Sequence, residues 1–311
     1  MRTTAALILT LIIYGLAGTP AGADATRVAA PVAVADTDGD GLPDGSDPDM
    51  DGDGLTNAEE AGLRTDPRAK DTDGDGYTDF QEVRDPRLTR PPADYRTKGA
   101  RGANPLKRDI VIELDHLGPK KTWFVKHCGH APGGEPIRDM IERFEEHGYQ
   151  VFVCVDDAIP HVEGGKDRAK LEKQDVFALR DRYRDDPLYY YCFYADEPGP
   201  QLGKTGNAGV AWYATNNLVV FEGQWWLFGD LVGATFMHEL GHLLIDTYPA
   251  NPKAAHLVSK PAVWNDGAHC PNRCVLNYAK KLGVMGALSQ WWEFDYCAPC
   301  WGAIRGVNET P

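Results

Sequence analysis

The sequence predicts an α/β fold with a mixed sheet, and two observations carry this prediction. Short runs rich in β-branched and aromatic residues have the length and composition of strands. Segments with apolar residues at helical spacing lie between most of these runs, which is the alternation that α/β proteins show. The predicted elements are strands at 109–115, 150–156, 188–194, 209–214 and 217–221, and helices at 136–147, 167–183 and 229–246.

Residues 1–23 have the features of a secretory signal peptide. A positive charge at Arg2 precedes an apolar run at 5–17, and small residues at 21–23 fit a cleavage site. Because the apolar run is too short to span a bilayer comfortably, we expect an exported protein with no membrane association after cleavage. Its predicted location is secreted, extracellular or periplasmic. Residues 24–35, rich in Ala, Val and Pro, are a predicted linker.

The net charge of −14 is concentrated in one segment. Residues 36–85 hold 17 Asp and Glu against 4 Lys and Arg, whereas the rest of the chain is nearly neutral. Nucleic-acid-binding proteins need a basic face, so the sequence argues against that class. With 311 residues, of which 42% are hydrophobic, the chain can bury one large core beside an accessory segment.

The acidic segment contains a repeat, Asp-x-Asp-x-Asp-Gly, which starts at Asp36, Asp49 and Asp71. Carboxylates at positions 1, 3 and 5, a glycine at position 6 and an acid at position 12 are typical of a Ca²⁺ loop. Position 12 of the first loop is Asp47, shorter than the usual Glu, so we expect a weaker or shared site there. The predicted calcium ligands are Asp36, Asp38, Asp40, Asp49, Asp51, Asp53, Glu60, Asp71, Asp73, Asp75, Asp79 and Glu82.

The loop starts are too closely spaced for the paired long helices of an EF-hand. The segment 36–86 instead resembles thrombospondin type 3 repeats. Its low apolar content predicts that it is disordered without the ion. Residues 87–107 are a predicted linker into the main domain, which we place at 108–311.

The predicted helix at 229–246 carries the motif His-Glu-x-x-His. His238 and His242 are four residues apart, so their imidazoles leave one face of the helix, as two ligands of a tetrahedral Zn²⁺ must. Glu239 lies beside the first ligand, where its carboxylate can accept a proton from an activated water. The alternative is an amphipathic helix with two histidines buried in the core.

Seven cysteines in an exported chain favour disulfides, and an odd number leaves at least one outside any intrachain pair. Four of them crowd the C-terminal end, with a Cys-x-x-Cys half that has good zinc spacing. This group could hold a structural zinc or form two disulfides, and both alternatives stay open. The four are Cys270, Cys274, Cys297 and Cys300, and the upstream cysteines are Cys128, Cys154 and Cys192.

The order of these C-terminal motifs is similar to that of archaemetzincins, a group of metzincin zinc peptidases. After the helix come His269-Cys270, then Cys274, then Val275-Leu276-Asn277-Tyr278 and finally Cys297-x-x-Cys300. The resemblance implies a metzincin-like fold over about 108–302, with His269 as third zinc ligand. It also implies that Tyr278 lies near the metal and stabilises the oxyanion, and that the four cysteines bind a second zinc.

Three positions depart from the metzincin pattern. Ile245 and Tyr248 stand where that family has a glycine and its third histidine, and Leu276 replaces the turn methionine. The third ligand therefore stays open between His269, which the neighbouring motifs favour, and His256 or Asp246.

Together these features predict a secreted zinc-dependent endopeptidase. We expect a monomer that acts on protein or peptide substrates. The calcium-binding repeats are expected to stabilise or position it. The alternative is a calcium-dependent binding or adhesion protein whose peptidase-like domain has lost activity.

Overall fold

The structure is a computed structural model in which the described residues from Asp36 onward form one compact unit. The predicted signal peptide and most of the first linker lie outside the described residues. The same holds for Cys128, Asp246, His256, His269 and Tyr278. The described residues are 35–118, 120–121, 126–127, 134–163, 166–167, 170–198, 209–212, 216–221, 230–245, 253, 270, 274–275 and 295–304.

Strands and helices alternate as the sequence predicts. The described strands are β1 (Tyr95–Arg96), β2 (Asp109–Leu117), β3 (Lys120–Lys121), β4 (Lys126–His127), β5 (Gln150–Ile159), β6 (Val162–Glu163), β7 (Lys166–Asp167), β8 (Lys170–Leu171), β9 (Tyr190–Ala195), β10 (Glu197–Pro198), β11 (Gly209–Trp212) and β12 (Asn217–Phe221). The described helices are α1 (Asn57–Leu63), α2 (Asp79–Arg84), α3 (Pro86–Thr89), α4 (Gly134–Glu146), α5 (Lys173–Tyr183), α6 (Asp230–Leu244) and α7 (Ala298–Trp301).

Six of these strands form one mixed sheet in the order β1-β5-β2-β9-β12-β11. β2 runs parallel to β5 and β9, and β12 runs parallel to β9. The edge strands β1 and β11 are antiparallel to their neighbours. This arrangement confirms the mixed α/β sheet, and it makes β11 the last strand of the sheet within the described part of the chain.

Helices cover both faces of the sheet because its central strands are apolar on both sides. Successive residues of a strand point to opposite faces, and all six residues of β9 are buried. Tyr190 and Cys192 face the core under α4 and α6, whereas Tyr191 and Phe193 face the core under α5. No described helix is long and apolar enough to cross a membrane.

The predicted elements differ from the observed ones mainly at their ends. The helix expected at 167–183 begins only at Lys173, because the Asp175 carboxylate accepts a hydrogen bond from the N–H of Glu172 (3.0 Å) and starts the first turn there. β7 and β8 occupy the residues before it. The strand pair β11–β12 forms as predicted, with Trp212 opposite Asn217.

The two short helices of the acidic segment have strong N-terminal signals. Thr56 and Thr78 are the N-cap residues of α1 and α2, and each accepts a hydrogen bond from the third residue of its helix, Glu59 or Gln81. The side chain of that third residue accepts a bond from the cap N–H in return. Such reciprocal capping stabilises helices too short to persist alone.

The acidic segment packs onto the main core rather than extending away from it. Tyr77 and Leu88 are fully buried in the same apolar cluster as α4 and α6. The Tyr77 hydroxyl donates to the main-chain oxygen of Leu188 (2.8 Å). The range 87–107, predicted as a linker, contains part of α3 and the whole of β1, which adds to the sheet beside β5. The domain boundaries themselves stay a prediction.

Candidate metal centres

The His-Glu-x-x-His motif lies on α6, near the end of a helix that buries its apolar side. The Nε2 atoms of His238 and His242 are 3.2 Å apart. Two nitrogens bound to one tetrahedral zinc, each at about 2.0–2.1 Å, would be separated by about 3.3–3.4 Å. The observed separation is close to that of two zinc ligands. The apolar side consists of Phe236, Met237, Leu240, Leu243 and Leu244, all buried.

A hydrogen bond from the other ring nitrogen, Nδ1, fixes the orientation of His238. Its Nδ1 atom lies 2.8 Å from the main-chain oxygen of Val275. A carbonyl can only accept, so Nδ1 carries the proton and Nε2 keeps the lone pair that a metal needs. Val275 is held in turn by its own N–H, which donates to the carbonyl of Asp295 (2.8 Å).

Glu239 is 7% exposed and packs against the first residue of β11, Gly209. A Cβ atom built on Gly209 would lie only 2.5 Å from Cγ and 2.9 Å from Oε1 of Glu239. The absence of a side chain at Gly209 thus provides the space for the carboxylate. Sequence reasoning missed this pair, because a glycine at the start of a strand is common and does not indicate which side chain approaches it.

The three candidates for the third zinc ligand, His269, His256 and Asp246, all lie outside the described residues. The residue after His269, Cys270, lies within the described part of the structure and is buried in the same core cluster as Met237 of α6. The role of His269 stays a prediction, as does that of Tyr278.

The four C-terminal cysteines come together in space. Their sulfur atoms all lie within 4.8 Å of one another. Cys270 and Cys297 are 3.5 Å apart, and Cys274 and Cys300 are 3.6 Å apart. A disulfide would need about 2.05 Å, whereas thiolates around one zinc at about 2.3 Å would lie about 3.8 Å apart. The geometry suits four thiolate ligands of one zinc.

This cysteine cluster is tied to α6. Cys297 is the N-cap residue of α7, and its N–H donates to the sulfur of Cys274 (3.4 Å). Beside it, the hydroxyl of the buried Tyr296 donates to the carbonyl of Met237 in α6. The upstream cysteines Cys154 and Cys192 are elsewhere, in β5 and β9, and burial raises the pKa of the Cys154 thiol to about 12.

All three acidic loops repeat one set of hydrogen bonds. The carboxylate at position 1 accepts from the N–H groups of positions 4 and 6, position 3 accepts from position 5, and position 5 accepts from position 7. The glycines at position 6 have φ of 98°, 110° and 97°, in the left-handed region that glycine tolerates. The predicted register of the repeat is therefore confirmed as a structural repeat.

Several carboxylate oxygens in the loops are buried and accept no hydrogen bond from the described residues. They are Oδ2 of Asp47, Asp51 and Asp73 and both oxygens of Glu60 and Glu82. Burial raises the pKa of Asp51 to about 6 and the pKa values of Glu60 and Asp73 to about 7. Buried carboxylates without donors are costly unless a cation pairs with them. The donor set is all oxygen, which suits Ca²⁺.

The aspartate at position 9 of the first and third loops forms hydrogen bonds within its own loop. Both oxygens of Asp79 accept bonds from Thr72, one from its N–H (3.0 Å) and one from its hydroxyl (2.7 Å). Asp44 bonds Thr37 in the same way in the first loop. Asp79, predicted as a ligand, thus stabilises the loop in this structure, and its contact with an ion stays a prediction.

The first loop is the most open of the three. Asp36 and Asp40 are exposed, and Leu42 at position 7 is 46% exposed. The corresponding residues of the other loops, Leu55 and Tyr77, are 1% and 0% exposed. This difference agrees with the expectation of a weaker first site.

Comparisons with known proteins identify the repeat and give a weak likeness for the rest. Residues 49–67 and 71–85 match the bacterial TSP3 repeat family, which leaves the first loop outside the match. The crystal structure of archaemetzincin from Methanopyrus kandleri is similar, with 17% identity over 62% of this chain and 92% of that chain and a TM-score of 0.36. Archaemetzincin from Archaeoglobus fulgidus, solved with malonate, has 13% identity over 62% and 97%, with a TM-score of 0.31. No curated protein sequence matches the chain significantly.

Proposed function

We propose that the protein is a secreted zinc-dependent endopeptidase. The observation that carries the proposal is the approach of His238 and His242, whose Nε2 atoms are 3.2 Å apart, with Glu239 next to His238 in α6. We propose His269 as the third ligand. When bound, zinc polarises a scissile carbonyl and lowers the pKa of a water molecule to about 7.

Residues of the chain provide the proton transfer, the orientation of the ligand and the stabilisation of the oxyanion. The Glu239 carboxylate accepts a proton from the attacking water and then delivers it to the leaving amine nitrogen. Val275, through its main-chain oxygen, keeps His238 in the tautomer that can bind zinc. Tyr278 is proposed to donate a hydrogen bond to the oxyanion.

The neighbouring sheet edge supports a peptide as the substrate. β11 ends the sheet within the described residues, and its first residue contacts Glu239. An extended peptide can add to such an edge through main-chain hydrogen bonds, which would place its backbone beside the catalytic carboxylate. Binding along a strand needs no free terminus of the substrate, which favours an endopeptidase.

Two further metal roles belong to the proposal. The loops at Asp49 and Asp71 bind Ca²⁺, and the loop at Asp36 binds it more weakly. Cys270, Cys274, Cys297 and Cys300 hold a structural zinc, which their sulfur separations of 3.5 and 3.6 Å favour over two disulfides.

The test is Glu239→Gln, which removes the base and keeps both histidine ligands. Casein cleavage should fall by about 10²–10⁴-fold, with zinc content and thermal unfolding unchanged. 1,10-Phenanthroline should abolish cleavage by the parent protein while calcium is kept in excess. Cleavage by the variant at the parent's rate would reject the mechanism. A parent protein that binds calcium but cleaves nothing would favour the alternative of a calcium-dependent binding protein, consistent with Ile245 and Tyr248 at two metzincin motif positions.

A further inference from the structure

A second cluster of carboxylates lies where the third loop meets the sheet. Carboxylate oxygens of Asp75, Glu82 and Asp109 lie within 4.8 Å of one another. Asp75 and Glu82 are positions 5 and 12 of the loop, whereas Asp109 is the first residue of β2, near the centre of the sheet. The three residues are 3%, 1% and 2% exposed, so water screens their mutual repulsion poorly.

Glu82 is the member of the cluster that lacks a hydrogen-bond donor among the described residues. Its side chain is almost completely buried, and neither of its oxygens accepts a hydrogen bond from the described residues. An ionised carboxylate buried in this way is strongly destabilising unless a positive charge pairs with it.

Asp109 is positioned rather than neutralised by its hydrogen bonds. Its Oδ1 accepts from the side-chain amide of Gln150 (2.8 Å), and its Oδ2 accepts from the N–H of Asn104 (2.6 Å). Both donors are uncharged. The adjacent Arg108 donates to the main-chain oxygen of Asp73 and to the Tyr149 hydroxyl.

The second loop shows what the Asp109 contact replaces. There, Oδ2 of Asp53 at position 5 accepts from the N–H of Phe80, which belongs to the next repeat (2.8 Å). In the third loop, Oδ2 of Asp75 accepts from the N–H of Asp109 (2.6 Å). Asp109 thus makes with the third loop the contact that Phe80 of the next repeat makes with the second loop.

We infer that Asp109 is a ligand of the calcium ion in the third loop, so that this ion joins the repeats to the central sheet. The inference rests on the proposed calcium binding and adds to it a ligand from outside the repeat. Carboxylates of three different elements, all with oxygen donors, suit the six to eight oxygen ligands that Ca²⁺ takes. The neighbouring Tyr77 then acts as the apolar part of the same junction.

The experiment measures calcium binding by the full-length protein with Asp109→Asn, which keeps the shape and removes the charge. Calorimetry should show one site weakened at least tenfold and the remaining sites unchanged. Saturating calcium should raise the melting temperature over its value in EGTA by less in the variant than in the parent protein. The matched control is Asp51→Asn, whose side chain accepts its hydrogen bond within the second loop, and which should weaken the second-loop site and leave the third intact.

The outcomes separate the inference from the proposed function. A parent protein that binds no calcium would refute calcium binding itself. A parent protein that binds calcium, with Asp109→Asn binding it equally well, would overturn only the role of Asp109. If Asp109→Asn does not fold, Gln150→Met, which removes a donor that positions Asp109, serves instead. A weaker affinity at one site supports the inference and an unchanged affinity overturns it.

Discussion

The Nδ1 atom of His238 lies 2.8 Å from the main-chain oxygen of Val275, which is the residue after Cys274. A proposed catalytic zinc ligand is therefore oriented by the backbone of the cysteine cluster. Because the hydrogen-bond partners of metal ligands commonly change metal affinity by about 10–100-fold, a change in the cluster should alter zinc binding at α6.

Cys300→Ser should accordingly lower zinc at both centres. It removes one of the four sulfurs and loosens the segment that holds Val275, so casein cleavage should fall together with zinc content. The measurement is zinc per chain beside a thiol titration. The parent protein should hold two zincs and four protected thiolates. One zinc and no reactive thiol among the four would support disulfides instead, and four freely reactive thiols would reject both. Cys154→Ala, in β5, is the control outside the cluster.

Gly209→Ala should reduce turnover while zinc stays bound. The added methyl would lie 2.5 Å from Cγ of Glu239, so the carboxylate must move. A displacement of this size costs on the order of 10²-fold in rate when the group is catalytic. Gly62→Ala in α1 is the control, since its added methyl meets nothing within 4 Å and should be neutral or slightly stabilising. Unchanged kcat in Gly209→Ala would show that Glu239 is not held where the structure places it.

Tyr77 should be the largest single contribution of the repeats to stability. Tyr77→Ala removes a fully buried ring and should cost about 3–5 kcal/mol. Tyr77→Phe removes only the hydroxyl bond to Leu188 and should cost about 1 kcal/mol. Urea unfolding in saturating calcium measures both. Equal stability of the alanine variant and the parent would mean that the repeats do not pack onto the core.

The buried Glu113 of β2 should make stability depend on pH. Burial raises its pKa to about 7, above its unfolded value of about 4.3. The folded state then binds the proton more tightly, so this contribution is complete below pH about 4 and is lost as the pH rises through about 7. The Glu113→Gln variant has no titrating group at this position, so it does not lose this stability as the pH rises. Its free energy of unfolding relative to the parent should therefore increase between about pH 5 and pH 8, by on the order of 2 kcal/mol. Urea curves with parallel pH dependence for the two proteins would contradict this.

The sequence predicted what local patterns encode. The spacing of His238 and His242 and the register of the three loops follow from helix periodicity and loop chemistry, and the structure has both. It could not predict contacts between distant segments. Asp109 looked like the polar start of an apolar strand, and Gly209 like an ordinary strand glycine. Their importance depends on which residues the sheet topology brings beside them, namely Glu82 and Glu239.

The position of β2 between two parallel partners also has a consequence for synthesis. It pairs with β5, about 40 residues later, and with β9, about 80 residues later. At a translation rate of about 5–20 residues per second, the nascent chain carries this apolar strand without its second partner for roughly 4–16 s. Parallel pairings of this separation also form slowly once both strands exist. The segment 109–117 is thus an apolar strand that stays unpaired on one side until β9 has been made.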